Sequence, residues 1–506
     1  MKILIATGRL AENTVRKAIG EKADILVADI DIAAFITPKK LTKAFQEADL
    51  SKAYDLILLP GLVAGDFSKA SEELGCQIRL GPKHAYDLGF VLPFAGKIEF
   101  SEKVPACELL ADVRKEMALE LIRKNEEEAS ALLTLRGVKI GGKARMKVMG
   151  EIVGAMEMDA PTIQVKIEAF IARGADIIDL GASLNTLPEQ AKRTVNLVKS
   201  FTDAPISIDT LDPELIKEGV EAGADLVLSL NSTNLETAGP IIARAGIAAV
   251  IIPDEDRSLE SLIRNVEAAR RLGIERIIAD PVLDPIGHNI TESIVRYHEF
   301  HRTYSEIPIF LGVGNVTELM DVDTIGVNAT LCGIGAETGA SILFTPEFSD
   351  KAQGSIRELK RVSEMMMLSS IRESSPKDLG LDLLCIKEKR RRPDFPLPEN
   401  AIQARPSKSW RVDPAGPIRI RIVPDSISGK GGLIVAEHEK ALVVGKNARE
   451  VIDTLLELEL ISRLDHAAYL GRELEKAQLA LQFNRSYAQA DVFCGCVLRL
   501  CSEVVS

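Results

Sequence analysis

The residues best suited to chemistry in this sequence are Glu151, Asp179, Asp209, Asn231, Asp254, Asp280 and Asn315. Each stands at or just beyond the end of a short aliphatic run. A carboxylate accepts two N–H donors as a bidentate pair, which suits a planar ligand edge. A carboxamide donates and accepts, so it can follow one atom through a change of protonation. Asp254, Glu255 and Asp256 form an acidic group that reads either as a cation or cationic-ligand site or as a solvated loop.

The elements that must position these residues repeat. Runs at 147–150, 176–179, 206–209, 225–231, 248–252, 276–280, 308–312 and 340–344 are each followed by a helix-like segment. Helix-start signals such as Asp212-Pro213 and Pro188-Glu189 stand between them. Strand, turn and helix recur roughly every 25–30 residues, the period of a TIM barrel, and eight such units close one. In that fold the chemistry lies at the C-terminal ends of the strands. Asp176 and Asp225 begin their strands at the opposite end and read as structural.

Smaller α/β segments flank this centre. Runs at 2–6, 24–28 and 55–59, each with a loop and a helical stretch after it, predict a small open sheet of parallel strands. The run from Pro60 to Asp66 offers backbone N–H groups to an anion but lacks the P-loop lysine, and it reads equally as a plain turn. One charged helix is expected over 106–136, and a basic then proline-rich linker over 387–410. Strands return at 418–423, 431–438 and 440–446, with helices at 448–460 and 465–481. The expected architecture is α/β: an N-terminal domain (1–105), a helical connector (106–142), a central TIM (β/α)8 barrel (143–372), a linker (373–412) and a small C-terminal α/β domain (413–506).

Composition narrows the function classes. A 506-residue chain of 55.0 kDa is too long for one core. Its net charge of -12 and pI near 5.3 argue against nucleic acid as the main partner. No run is long and apolar enough to suggest a membrane span, and the N-terminus reads as a strand rather than a signal peptide. Seven scattered cysteines fit a reducing cytosol, so a cytoplasmic location is expected. Cys494, Cys496 and Cys501 have no second pair of ligands, and His298 and His301 share a helix face with no third, so no metal site is expected.

Four ordered motifs carry a family resemblance. Residues 172–181 (ARGADIIDLG), 206–210 (ISIDT), 221–225 (EAGAD) and 279–281 (ADP) are similar to the second, third, fourth and sixth strand motifs of the pterin-binding superfamily. That superfamily unites dihydropteroate synthases with methyltetrahydrofolate-type methyltransferases. The resemblance covers about residues 143–372, and the whole chain resembles archaeal dihydropteroate synthase-related proteins. It implies that Asp280 and Asp209 grip the N–H edge of a pterin, with Asn231, Glu151 and Asp179 as further binding residues. Asp179 reads equally as a tie within the barrel rim. Asn231 stands later than the family's fourth-strand Asn, whose place is taken here by Leu228-Ser229.

The departures choose between branches. A synthase must hold a diphosphate leaving group with cations and Mg2+. The corresponding stretches here, 149–153 (MGEIV), 182–185 (ASLN), 312–316 (GVGNV) and 343–346 (LFTP), contain no Lys or Arg. Gly150-Glu151 and residues 312–316 are closer to the methyltransferase motifs, which implies that Asn315 sits near pterin N5 and acts as it gains a proton. Asn315 could instead cap the helix that follows. The tail at 468–477 resembles the corrinoid-carrying A subunit of tetrahydromethanopterin methyltransferase, which implies a corrinoid with His438 or His466 as a lower ligand. The expectation is therefore one-carbon or methyl transfer from a reduced pterin of the tetrahydrofolate or tetrahydromethanopterin type, to a corrinoid here or on a partner protein, in a chain that could form a homodimer. The alternatives are synthase-type condensation with an arylamine and a non-catalytic pterin-binding or assembly protein.

Overall fold

The computed structural model describes residues 1–48, 54–387, 401–405, 411–424 and 431–491. The linker core and the Cys494, Cys496 and Cys501 group lie outside these described residues. The chain forms two compact units: 1–124 with 368–382, and the remainder.

In the first unit, strands β1 (Ile3–Thr7), β2 (Asp24–Val27), β3 (Leu56–Leu59) and β4 (Gln77–Leu80) form a parallel sheet in the order β2-β1-β3-β4. Its strands are aliphatic because both faces are covered, by helices such as Glu12–Ile19 and Pro38–Glu47. Asp87 is buried and ties Arg114 (2.7 Å) and Arg372 (2.8 Å) together, which fixes residues near 372 within this unit.

The chain departs from the expectation of one helix over 106–136. The helix Ala111–Glu128 stops, and a hairpin of β5 (Leu133–Leu135) and β6 (Val138–Ile140) follows. The cause is local: Arg136 and Gly137 take positive φ values of 40° and 85°, a turn, between two short runs of alternating aliphatic and polar residues. Leu135 and Ile140 pack with residues of the barrel interior, and Arg136 pairs with Asp225 at 2.8 Å.

Eight parallel strands then close the barrel: β7 (Lys147–Ile152), β8 (Ile177–Gly181), β9 (Ile206–Asp209), β10 (Leu226–Leu230), β11 (Ala248–Ile251), β12 (Ile277–Ala279), β13 (Ile309–Gly312) and β14 (Ala340–Thr345). Side chains alternate across each strand. One set, including Ile178, Leu180, Ile206 and Ile208, packs outward under the helices. The other, including Met149, Ile177, Leu228, Val250, Ile278, Phe310 and Ile342, fills the interior. The expected helix start at Asp212-Pro213 is present, with Asp212 accepting from Glu214 N–H, and Asp159 caps another helix by accepting from Thr162 N–H.

At the N-terminal strand ends, Asp176 accepts from Arg145 at 2.7 Å, Lys360 at 3.2 Å and the backbone N–H of Val148 at 2.8 Å. Burial alone would raise its carboxyl, but the two cations outweigh burial and hold it at about 2. Further along, β15 (Arg419–Pro424), β16 (Gly432–His438) and β17 (Ala441–Gly445) form an antiparallel sheet packed with helices Ala448–Glu457 and Leu464–Gln482.

Candidate functional site

Strand register brings three acids together on the inward face at the C-terminal end of the barrel. Glu151 stands opposite Asp179, Asp179 opposite Ser207, and Gly181 opposite Asp209. One oxygen from each of Glu151, Asp179 and Asp209 lies within 4.8 Å of the other two. Glycine at 181 makes room for this, since a Cβ there would meet Oε1 of Glu151 at 2.5 Å.

Their electrostatics are unfavourable without a counter-charge. Two ionised carboxylates at that spacing repel by roughly 3–4 kcal/mol at an effective dielectric of ~20. Burial first, then the charges of Asp209 and Glu318, push Glu151 up to about 7. Burial raises Asp209 to about 7. Asp179 is fully buried, and burial with both neighbours raises it well above the carboxylate range. At neutral pH the group therefore keeps protons or takes a positive partner.

Asp280 follows β12 and is set apart from this cluster. It is 7% exposed, and its Oδ1 accepts from Tyr297 Oη at 2.6 Å and from the backbone N–H of Val282 at 2.7 Å. Its Oδ2 is left for another donor. Burial outweighs these bonds and the charge of Arg296, and raises Asp280 to about 6. Arg296 donates to Pro281 O, Val282 O and Asp284, so it braces the loop that carries Asp280.

Asn315 lies in the short helix Gly314–Thr317, and its Nδ2 donates to Leu283 O at 3.0 Å. It caps no helix, so that alternative is set aside; its amide joins the end of β13 to the Asp280 loop. Asn231 is used locally: its Oδ1 accepts from Thr233 N–H (3.0 Å) and Thr233 Oγ1 (2.6 Å). Asn234 locks the same turn by donating to Ser229 O and Leu211 O. Asp254 and Asp256 are occupied by Ser232, Asn265, Ser258 and Ser261, which favours the loop reading of that acidic group. Phe310 and Phe344 stand 5.2 Å apart and give the barrel an aromatic wall.

Several arginines around the barrel are held by partners, Arg193 by Met156 O at 3.4 Å and others by carboxylates. Arg257 and Arg296 both bind Asp284, and Arg173 binds Glu347 at 2.5 Å. In the C-terminal sheet region the two histidines differ. His438 has both ring nitrogens engaged, with Ala415 O at 2.8 Å and Lys440 N–H at 3.1 Å, so it has no nitrogen left for a metal. His466 is held through Nδ1 by Asp413 at 2.8 Å, which leaves Nε2 as its outward nitrogen.

Sequence reasoning missed Tyr297 and Ser207. Tyr297 sits one residue before His298 in a helix with an apolar face, where an aromatic residue reads as packing, and nothing in the spacing marks its bond to Asp280. Ser207 was legible only as the middle of the aliphatic run ISID.

The family profile described as "Pterin binding enzyme" matches residues 153–343, and a second, "PterinBD-DUF4346", matches 412–490. An uncharacterized protein of Methanocaldococcus jannaschii is 36% identical over 97% of this chain and 98% of its own length. A dihydropteroate synthase of Synechocystis is 27% identical over 150 residues, 24% of this chain and 52% of that protein. Among solved structures, a Yersinia pestis dihydropteroate synthase with a pterine-sulfa conjugate is 20% identical with a TM-score of 0.39, covering 47% of this chain and 99% of that one. With the profile over its barrel and a relative matching nearly end to end, the chain belongs to the pterin-binding superfamily that includes the dihydropteroate synthases.

Proposed function

We propose that the barrel binds a reduced pterin and transfers a methyl or other one-carbon group from it. The observation that carries this reading is Asp280: a buried carboxylate with one oxygen pinned by Tyr297 and Val282 and the other left for a ligand. Oδ2 would take an N–H of the pterin's N3/2-amino edge, with Asp209 as the second grip and Glu151 and Asp179 beneath. Asn231 would contribute through its amide nitrogen, since its oxygen is used in the turn.

A reduced pterin would supply an N5-methyl group that leaves without its bonding electrons while N5 takes up one proton. Asn315 has its Nδ2 on Leu283 O, which orients Oδ1 to accept a hydrogen bond from the N–H formed at N5. Phe344 stands where the synthase motif has a cationic pair and would face the ring with apolar surface. Cation-poor rim stretches count against the condensation of a pterin diphosphate with an arylamine.

The acceptor in this reading is a corrinoid, and His466 is the residue that would hold it. An imidazole oriented by a buried carboxylate through one nitrogen presents the other as a metal ligand.

The test is single-turnover methyl transfer from N5-methyl tetrahydrofolate or N5-methyl tetrahydromethanopterin to added cob(I)alamin, followed by the absorbance of the reduced corrinoid. The expected result is enzyme-dependent loss of that absorbance with one of the two pterins. Turnover of a pterin diphosphate with an arylamine, and none with either methyl donor, would overturn the reading.

A further inference from the structure

The acids of the barrel mouth lack the partners that buried polar groups ordinarily have. Asp179 is fully buried, and neither of its oxygens makes a hydrogen bond of good geometry; the Ser207 hydroxyl and the Leu180 N–H beside it only partly offset its burial. Ser207 is itself fully buried, in register with Asp179 on the next strand, and its Oγ has no other partner. No ion pair reaches Glu151, Asp179 or Asp209 from a described residue, although surface acids all around the barrel have such partners. A buried carboxylate left this way costs several kcal/mol, so a bound ion is the economical explanation.

We propose that Glu151, Asp179 and Asp209, with Ser207 beside them, form a binding site for one hard divalent cation. Every donor is an oxygen, which selects Ca2+, Mg2+ or Mn2+ over thiophilic metals. The spacing bears on size. Ligands on opposite sides of Ca2+ lie ~4.6–5.2 Å apart, and those of Mg2+ ~4.0–4.2 Å. Carboxylate oxygens within 4.8 Å of one another are close enough to share one ion of either size, so the titrations decide between them. Each acid needs only one oxygen for the ion, so the second oxygen of Asp209 stays available to a ligand. The site is carried by β7, β8 and β9, apart from the Asp280 grip that follows β12, and requires no pterin.

The experiment uses the full chain freed of metal by chelation, with no pterin present. Calorimetric titrations with CaCl2, MgCl2 and MnCl2 are paired with melting curves. One equivalent of cation should bind the wild type and raise its melting temperature. Asp179→Asn and Glu151→Gln should lose at least tenfold in affinity, and Asp321→Asn, at an exposed surface acid, should bind normally. Metal-free Asp179→Asn should melt no lower than metal-free wild type, because it sheds charge repulsion, and its melting should be insensitive to cation. That separates loss of the site from loss of the fold. No heat and no thermal shift with any of the three at millimolar concentration, or undiminished binding by both variants, would overturn the site. Either result leaves the pterin reading to its own test, since pterin binding is measured separately.

Discussion

Asp280→Asn should weaken pterin binding and stabilise the protein, a pairing that distinguishes a ligand-binding acid from a structural one. Burial holds Asp280 at about 6 against 3.8 for the free group. At ~1.4 kcal/mol per unit, its ionisation costs the fold roughly 3 kcal/mol at neutral pH. The amide keeps Oδ1 as acceptor for Tyr297 and Val282, so those bonds survive. It replaces Oδ2 with an N–H2 facing the ligand's own N–H groups. Loss of a charge-assisted bond with an unsatisfied donor in its place costs roughly 3 kcal/mol, about two decades in Kd. The stability gain has a defined pH window. Because the folded-state pKa is raised, the wild type loses stability as pH rises from about 4 to about 6, so the advantage of the variant is absent below that window and complete above it. Melting curves from pH 4 to 8, with pterin titrations at pH 8, measure both effects. A variant that melts lower than wild type at pH 8, or binds pterin equally well, would refute this reasoning.

Three further outcomes are expected. Asn315→Ala should bind N5-methyl pterin within a few-fold of wild type but slow methyl transfer by roughly 10²-fold, as loss of one positioned polar group does, in single-turnover assays. Asp176→Asn should lower stability by roughly 2 kcal/mol above pH 4. Its parent carboxylate is held at about 2, so the wild-type advantage should vanish as pH falls through that value, as followed by acid unfolding. His466→Ala should abolish the corrinoid's base-on spectrum in the full chain, and His438→Ala, which touches no free nitrogen, should leave it intact.

Much of the barrel was legible because its signal is one of composition and period. Aliphatic runs buried on both faces, separated by capped helices, admit few other folds. Asp209, Asp280 and Asn315 were visible as polar residues at run ends. What lay beyond the sequence was set by register and by distant partners. The approach of Glu151, Asp179 and Asp209 depends on which residues of adjacent strands stand opposite, and the pinning of Asp280 by Tyr297 crosses 17 residues. The first strand of the hairpin at 133–140 falls inside the expected helix over 106–136 because each strand is only three residues, too short for a period of two to outweigh the charged helical pattern before it.

The central claim, a pterin seated on Asp280, is tested most directly by calorimetric titration of the full chain with N5-methyl tetrahydrofolate and with N5-methyl tetrahydromethanopterin at pH 8. The account predicts one equivalent bound with at least one of them, and an affinity that falls as pH drops below about 7, where Asp209 takes up its proton, and more steeply below about 6, where Asp280 does. Absence of binding by both, or binding independent of pH across that range, would contradict it.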